Sequence, residues 1–166
     1  MKVRTYVLVG AVAMTMMASG SKNAKPTVGL NPGDLAPRIE SLENGVNINF
    51  QNHSGCYTLL NFWAAYDAES RVRNVQLSNK VNKLGSDKIA MYSISLDKIE
   101  SVFAETVKAD KLEGTIQLHD GQGEKSVLYE KFGLEKGFRN FLINDKGMII
   151  AANVTPEKLA EVLKSI

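Results

Sequence analysis

The sequence is poor in the residues that carry most metal and thiol chemistry. It contains one cysteine, Cys56, and two histidines, His53 and His119, among 166 residues. One cysteine cannot form a disulfide within the chain, and two histidines without ligand-pair spacing do not make a structural zinc site. The sequence also has no phosphate-binding loop and no Gly-x-Ser-x-Gly elbow. We therefore expect no metal and no cofactor.

Long runs of charge of one sign are also missing. The chain has 20 basic and 18 acidic residues, and two of the basic ones, Lys2 and Arg4, lie in residues 1–20, which contain no acidic residue. The rest of the chain is therefore neutral when histidine is uncharged. Nucleic-acid-binding proteins usually carry a basic face or stripe. We expect no nucleic-acid partner.

No apolar run is long enough to span a bilayer, which takes about 20 residues. The N-terminal run, 5–18, follows two basic residues and precedes small ones, which is typical of a secretory signal peptide. We predict that residues 1–20 are a signal peptide cleaved near Gly20 and that the protein is periplasmic or secreted, without a lasting membrane span. The alternative is an uncleaved N-terminal helix that tethers the protein to the membrane. Residues 21–31 are predicted to form a polar tether.

Residues 32–166 are long enough for one domain with its own core, and their pattern alternates between strand and helix. Residues 57–63 form a near-continuous apolar run, typical of a strand covered on both faces, whereas 46–50 alternate as a half-buried strand does. Further strands are predicted at 89–96, 115–118, 141–143 and 148–152, and helices at 68–84, 99–107, 124–132 and 155–166. This order predicts an α/β fold.

Three motifs point to one family. Residues 61–71 read Asn-Phe-Trp-Ala-Ala-Tyr-Asp-Ala-Glu-Ser-Arg and resemble the active-site segment of thioredoxin-type oxidoreductases, roughly Asn-Phe-Trp-Ala-x-Trp-Cys-x-x-Cys-Arg. Residues 33–37 and 141–147 are similar to the Gly-x-x-Ala-Pro motif and the hairpin of the extracytoplasmic TlpA-like and peroxiredoxin-like (AhpC/TSA) group. The resemblance covers 33–166. It implies a thioredoxin-like three-layer sandwich with a mixed central sheet and flanking helices.

The resemblance ends at the residues that carry this family's chemistry. Asp67 and Ser70 stand where the family has its two cysteines, and Phe138 aligns with its cis-proline. No proline occurs in 123–154, so no shift of the alignment restores it. A carboxylate or a hydroxyl cannot form a mixed disulfide. We predict that Asp67 caps the following helix and that the bond before Phe138 is trans.

We therefore predict a binding or scaffold protein that uses the surface left by the missing cysteine pair, without catalysis. The partner is a protein, a peptide or a small ligand. The candidate surface consists of Trp63, Tyr66, Asp67, Glu69, Ser70 and Phe138. Simpler interpretations stay open: Asp67 as a helix cap alone, and Trp63 and Tyr66 as ordinary packing residues. Arg71 and Arg73, on the same predicted helix, are interpreted as solvated surface charges.

The alternative function is a thiol–disulfide oxidoreductase or a peroxiredoxin-like enzyme that acts through Cys56. A lone cysteine in a secreted chain is either a reactive thiol or a small buried apolar residue. His53 is the nearby group that favours reactivity. Against it, Cys56 precedes the first core strand, whereas the family's reactive cysteine belongs in residues 67–70.

Overall fold

Five strands and four helices make up the described part of the chain. The computed structural model describes residues 25–40, 42, 45–50, 55–85 and 87–164, so the predicted signal peptide and His53 lie outside the described residues. In chain order the elements are β1 (Tyr57–Trp63), α1 (Ala68–Leu84), β2 (Ile89–Ser95), α2 (Glu100–Ala109), β3 (Ile116–His119), a 3₁₀ turn (Gly123–Lys125), α3 (Val127–Lys131), a second 3₁₀ turn (Leu134–Lys136), β4 (Asn140–Ile143), β5 (Ile149–Ala152) and α4 (Pro156–Lys164). None of the helices in these described ranges is long and apolar enough to cross a membrane.

The strands form one mixed sheet with β1 at its centre. The strand order is β3-β2-β1-β4-β5; β1, β2 and β3 are parallel, and β4 runs antiparallel to both of its neighbours. β1 is buried from Thr58 onward, as its apolar run predicts. The carboxyl ends of the three parallel strands meet at one edge, where open α/β sheets usually bind their ligands.

Helices cover both faces of this sheet. Neighbouring residues of β1 point in opposite directions, so this apolar strand presents side chains to both layers of helices. On one face, Leu59 packs with Leu77 of α1 and Leu159 of α4. On the other, Phe62 packs against Phe132, the residue that ends α3, at a ring-centroid distance of 4.8 Å. The predicted α/β fold, a thioredoxin-like sandwich of a mixed sheet between helices, is confirmed.

The predicted strand at 46–50 is wrong. Ile48 makes only an isolated bridge with Ile39, and no element of the main sheet includes it. Ile48 and Phe50 are nevertheless buried, as the alternation indicates. The pattern identified which side chains enter the core, but strand pairing depends on a partner distant in sequence.

The prediction of one continuous helix at 124–132 is also wrong, because the segment forms a 3₁₀ turn and a separate short helix. Ser126 adopts an extended conformation, with φ −61° and ψ 137°, between the first 3₁₀ turn and α3. Its hydroxyl donates to the Asp120 carboxylate and accepts from the Leu128 N–H at 3.0 Å. These side-chain hydrogen bonds replace the helical ones and divide the segment, as serine often does at a helix start.

The predicted tether, 21–31, joins the domain from Thr27 onward. The Leu35 N–H donates to the Thr27 carbonyl at 2.9 Å, and Leu30 packs against the core cluster that contains Phe62. The segment packs on the domain because burial of the apolar Leu30 side chain is favourable. Residues 21–24 lie outside the described residues.

Candidate functional site

The loops that follow β1 and β2 form the functional edge of the sheet. The chain leaves β1 at Trp63, passes through residues 64–67 and enters α1. The parallel register pairs Trp63 with Ser95, so the loop after β2 lies beside this segment. The structure therefore places the predicted site at the carboxyl edge of the sheet.

Asp67 caps α1, as predicted. Its backbone is extended, and its Oδ1 accepts a hydrogen bond from the Ser70 N–H at 2.7 Å. The Ser70 hydroxyl is buried, lies 3.2 Å from the Asp67 carbonyl oxygen and accepts from the Ala64 N–H at 3.3 Å. The two residues at the family's cysteine positions are thus engaged in closing the first turn of the helix.

Asp97 fixes the loop after β1, and the sequence did not identify it as a site residue. It is 4% exposed, and its two carboxylate oxygens accept from the Ala65 N–H at 3.0 and 2.9 Å. The Ser95 hydroxyl donates to it at 2.7 Å, and the His119 Nε2 lies 2.6 Å from its carbonyl oxygen. A buried carboxylate needs such donors. The available signal was its position directly after the second core strand, at the same edge of the sheet.

Tyr66 and Phe138 form an aromatic pair on the surface. Tyr66 is 66% exposed, and its ring centroid lies 6.2 Å from that of Phe138, with the planes tilted by 58°. Arg73 joins α1 to this pair, because its Nη2 donates to the Phe138 carbonyl at 2.7 Å. All peptide bonds of the described residues are trans, including the one before Phe138. The loop that replaces the family's cis-proline is thus anchored from α1.

The hydroxyl of Tyr66 keeps its proton at neutral pH. Partial burial raises the pKa of Tyr66 above its ordinary value of 10.0, and the nearby Tyr129, Asp97 and Glu124 raise it further. A neutral phenol both donates and accepts hydrogen bonds. Tyr66 therefore offers a partner an apolar ring and a polar tip.

Trp63 and Ser70 do not belong to the exposed part of the candidate surface. Both are 0% exposed, and the Trp63 ring packs on Phe103 at a centroid distance of 6.3 Å. Of the interpretations that the sequence left open for Trp63, the structure shows packing. We define the Tyr66–Phe138 surface as the remaining four side chains: Tyr66, Asp67, Glu69 and Phe138.

Two cavities flank this surface. One, of about 560 Å³, is lined by Tyr66 and by the start of α2, where Ile99 and Val102 are exposed rather than covered. The other, of about 610 Å³, lies beside Phe138. Both volumes are within the range of about 300–1,000 Å³ that is usual for ligand sites.

In the described ranges no group of three or more His, Cys, Asp or Glu side chains is placed to hold a metal ion.

Comparison with solved structures decides the family. The chain is 67% identical to a thioredoxin-like protein from Parabacteroides distasonis, over 82% of this chain and 96% of that one, with a TM-score of 0.75. The chain belongs to the thioredoxin-like family. No protein-family model matches the chain, and no curated protein matches it.

Thiol–disulfide oxidoreductases have the same fold. A thiol–disulfide oxidoreductase from Bacteroides fragilis is 27% identical, over 80% of this chain and 98% of that one, with a TM-score of 0.64. The thioredoxin domain of a thiol–disulfide oxidoreductase from Bacteroides vulgatus is 20% identical, over 82% and 98%, with a TM-score of 0.69, and shows the fold alone. This thioredoxin-like chain thus combines an oxidoreductase fold with a single cysteine.

That cysteine lies at the opposite end of β1 from Asp67. Cys56 directly precedes β1, whose seven residues rise about 3.3 Å each and so separate its ends by roughly 20 Å. Its Sγ lies 3.5 Å from the Tyr57 carbonyl oxygen, and partial burial raises the pKa of the thiol above its ordinary value of 9.0. A raised pKa lowers the thiolate fraction, whereas reactive cysteines have a lowered pKa and a larger thiolate fraction.

Arg71 and Arg73 are not the solvated charges that the sequence indicated. Arg71 forms a two-bond ion pair with Asp110 at the end of α2, with Nε–Oδ2 and Nη2–Oδ1 distances of 2.7 and 2.8 Å. Arg73 binds the Phe138 carbonyl, as described above. Their partners lie far away in sequence, so only the folded structure brings them together. α1 is thereby linked to the elements on both sides of the site.

The Arg71–Asp110 pair is expected to stabilise the fold less at acid pH. The hydrogen bond from Arg71 holds the pKa of Asp110 below its ordinary value of 3.8. The stabilisation is therefore complete above the unfolded pKa and is lost as pH falls through the lower, folded one. Because the Arg71 side chain is 39% exposed, we expect less than about 1 kcal/mol. Urea unfolding between pH 7 and pH 2 measures this contribution. Below pH 4, the free energy of unfolding should decrease less steeply in Asp110→Asn than in the wild type. Identical pH profiles for the two proteins would contradict the expectation.

Proposed function

We propose that this thioredoxin-like protein binds a partner segment at the Tyr66–Phe138 surface and exchanges no disulfides. The proposal is carried by the Asp67–Ser70 hydrogen bonds. An aspartate and a buried serine occupy the positions of the family's cysteine pair, and neither can attack or resolve a disulfide. We further propose that the protein acts in the periplasm or after secretion, following cleavage of residues 1–20.

The exposed aromatic pair supports a binding role. Tyr66 leaves two-thirds of its surface to solvent beside the Phe138 ring. Aromatic side chains supply large contact areas at protein interfaces and dominate their affinity. The loop beneath Tyr66 is held by Asp97, and the loop that carries Phe138 is held by Arg73. A surface fixed in this way loses little conformational entropy on binding, which favours affinity.

An extended peptide is the occupant that fits best. One cavity is lined by Tyr66 and the other by Phe138, and the contact between these two rings links the cavities. An extended chain rises about 3.3 Å per residue and can set successive side chains along such a groove.

Loss of the Tyr66 ring is expected to weaken peptide binding by roughly thirtyfold, since aromatic anchor residues contribute about 2 kcal/mol. The full chain would be applied to an array of immobilised random dodecapeptides, and the affinities of bound peptides measured for wild type, Tyr66→Ala and Phe138→Ala. Val127→Ala serves as the control, because Val127 is exposed and lines neither of the two cavities. If the array binds no peptide, or if Tyr66→Ala and Val127→Ala bind equally well, the proposed function is wrong.

A further inference from the structure

Basic side chains surround the cavity beside Phe138. The first turns of α1, the segment that leads into β4 and the turn between β5 and α4 line this cavity. Three lining residues are cationic, Arg73, Lys136 and Arg139, and one, Glu69, is acidic. We call this site the basic pocket. Because the chain beyond residue 20 has equal numbers of acidic and basic residues, the excess of positive charge is a local feature.

The guanidinium of Arg73 is only partly satisfied by the protein. Its Nη2 donates to the Phe138 carbonyl at 2.7 Å, but its Nη1 lies 3.4 Å from Glu69, whose side chain is 90% exposed. Its Nε is buried and has no hydrogen-bond partner in the part of the chain that the structure describes. A charged donor without an acceptor is unfavourable in a partly buried site. One strong bond holds the side chain in place, and the second N–H groups of Nη1 and Nη2, rather than the buried Nε, are the donors that a ligand could use.

The other two cations have no acidic partner at all within the described residues. Lys136 is exposed, and across the described ranges neither it nor Arg139 forms an ion pair. The Arg139 guanidinium lies over the Phe141 ring at 5.2 Å, which fixes its position without removing its charge. The basic pocket therefore has a net positive charge that an anionic group would complement.

Phe138 belongs both to the basic pocket and to the Tyr66–Phe138 surface. A peptide that covers the two rings therefore brings its next side chain to Arg73 and Lys136. We infer that the partner segment is acidic, with the carboxylate of an aspartate or glutamate side chain bound in the basic pocket beside an apolar residue on the aromatic pair. This inference rests on the proposed function and adds the chemistry of the partner.

Two matched dipeptides test the inference: N-acetyl-Phe-Glu-amide and N-acetyl-Phe-Gln-amide, titrated into the ¹⁵N-labelled full chain and followed by NMR. We expect the glutamate peptide to bind about tenfold more tightly at low salt, with shifts at the Phe138 amide and the Arg73 side chain. High salt should reduce this preference. Arg73→Gln should abolish it, and Lys136→Gln, a change of an exposed side chain that keeps the fold, should lower it about threefold. Lys98→Gln, which removes an exposed cation beside the other cavity, should leave it unchanged.

The possible results separate this inference from the proposed function. Equal binding of the two dipeptides, with shifts at Tyr66 and Phe138, would overturn the acidic partner and leave the binding role intact. A glutamate preference that survives in both Arg73→Gln and Lys136→Gln would also overturn the assignment to the basic pocket. If neither dipeptide shifts the signals of Tyr66 or Phe138, the proposed function fails together with the inference.

Discussion

Replacing Asp67 and Ser70 together by cysteine is expected to give the protein disulfide reductase activity about tenfold above background. A thiol at the first position would lie at the N-terminus of α1, where the helix amides now hold the Asp67 carboxylate. Such a position lowers a cysteine pKa toward 7, which raises the thiolate fraction at neutral pH from a few per cent to about half. The Asp67 side chain already reaches residue 70, since its Oδ1 lies 2.7 Å from the Ser70 backbone nitrogen, so thiols at the two positions would be neighbours in the first turn of the helix.

The measurement is insulin reduction with dithiothreitol, made in a Cys56→Ser background so that the new pair provides the only thiols. Asp67→Cys alone is the matched control, because it supplies a nucleophile without a resolving thiol. We expect the single variant to stay near background and to accumulate mixed disulfides. A double variant that folds, forms its disulfide and still shows no turnover would contradict the view that the missing sulfurs alone account for the lost chemistry.

Trp63→Ala is expected to reduce the free energy of unfolding by about 3–5 kcal/mol. Trp63 is fully buried at the end of the central strand, and its ring packs on Phe103 of α2. Removing it leaves a cavity directly beneath the loop that carries Tyr66. For a domain of this size, such a loss corresponds to a decrease in melting temperature of roughly 10–20 °C. Urea and thermal unfolding of wild type and variant give both quantities.

Trp63→Phe provides the matched control for this effect. The Trp63 indole N–H is buried without a hydrogen-bond partner in the described ranges, so phenylalanine keeps most of the packing and removes an unsatisfied donor. We expect Trp63→Phe to lower the free energy of unfolding by less than about 1.5 kcal/mol. Tyr66→Ala, at an exposed site, should change stability by no more than about 0.5 kcal/mol. Equal losses for Trp63→Ala and Tyr66→Ala would show that Trp63 is not the packing support of the site.

Local sequence patterns predicted the centre of the fold well. The predicted bounds of β1 and α1 coincide with the observed ones, because an apolar run and a 3.6-residue periodicity are properties of the segments themselves. The helix cap at Asp67 is equally local, since its partner is the Ser70 N–H three residues away. The order of strands and helices then left few topologies to choose from.

Contacts between distant residues set the limit of sequence reasoning. Ile99 and Val102 have the spacing of a buried helix face, but the sequence does not show whether a neighbour covers that face, and both are exposed. Arg73 and Phe138 are 65 positions apart, so their hydrogen bond left no local signal. Asp97 looked like a strand end, and its role in holding Ala65 follows only from the parallel register of β1 and β2.

Insulin reduction by the wild-type chain tests most directly whether this thioredoxin-like protein has lost thiol–disulfide exchange. Turbidity would be followed with dithiothreitol, for the wild type, for Cys56→Ser and without protein. We predict that all three give the same rate, because the single thiol lies at the far end of β1 from the site and its pKa is raised. A wild-type rate above that of dithiothreitol alone, lost in Cys56→Ser, would show that Cys56 carries a redox activity and would contradict the proposed function.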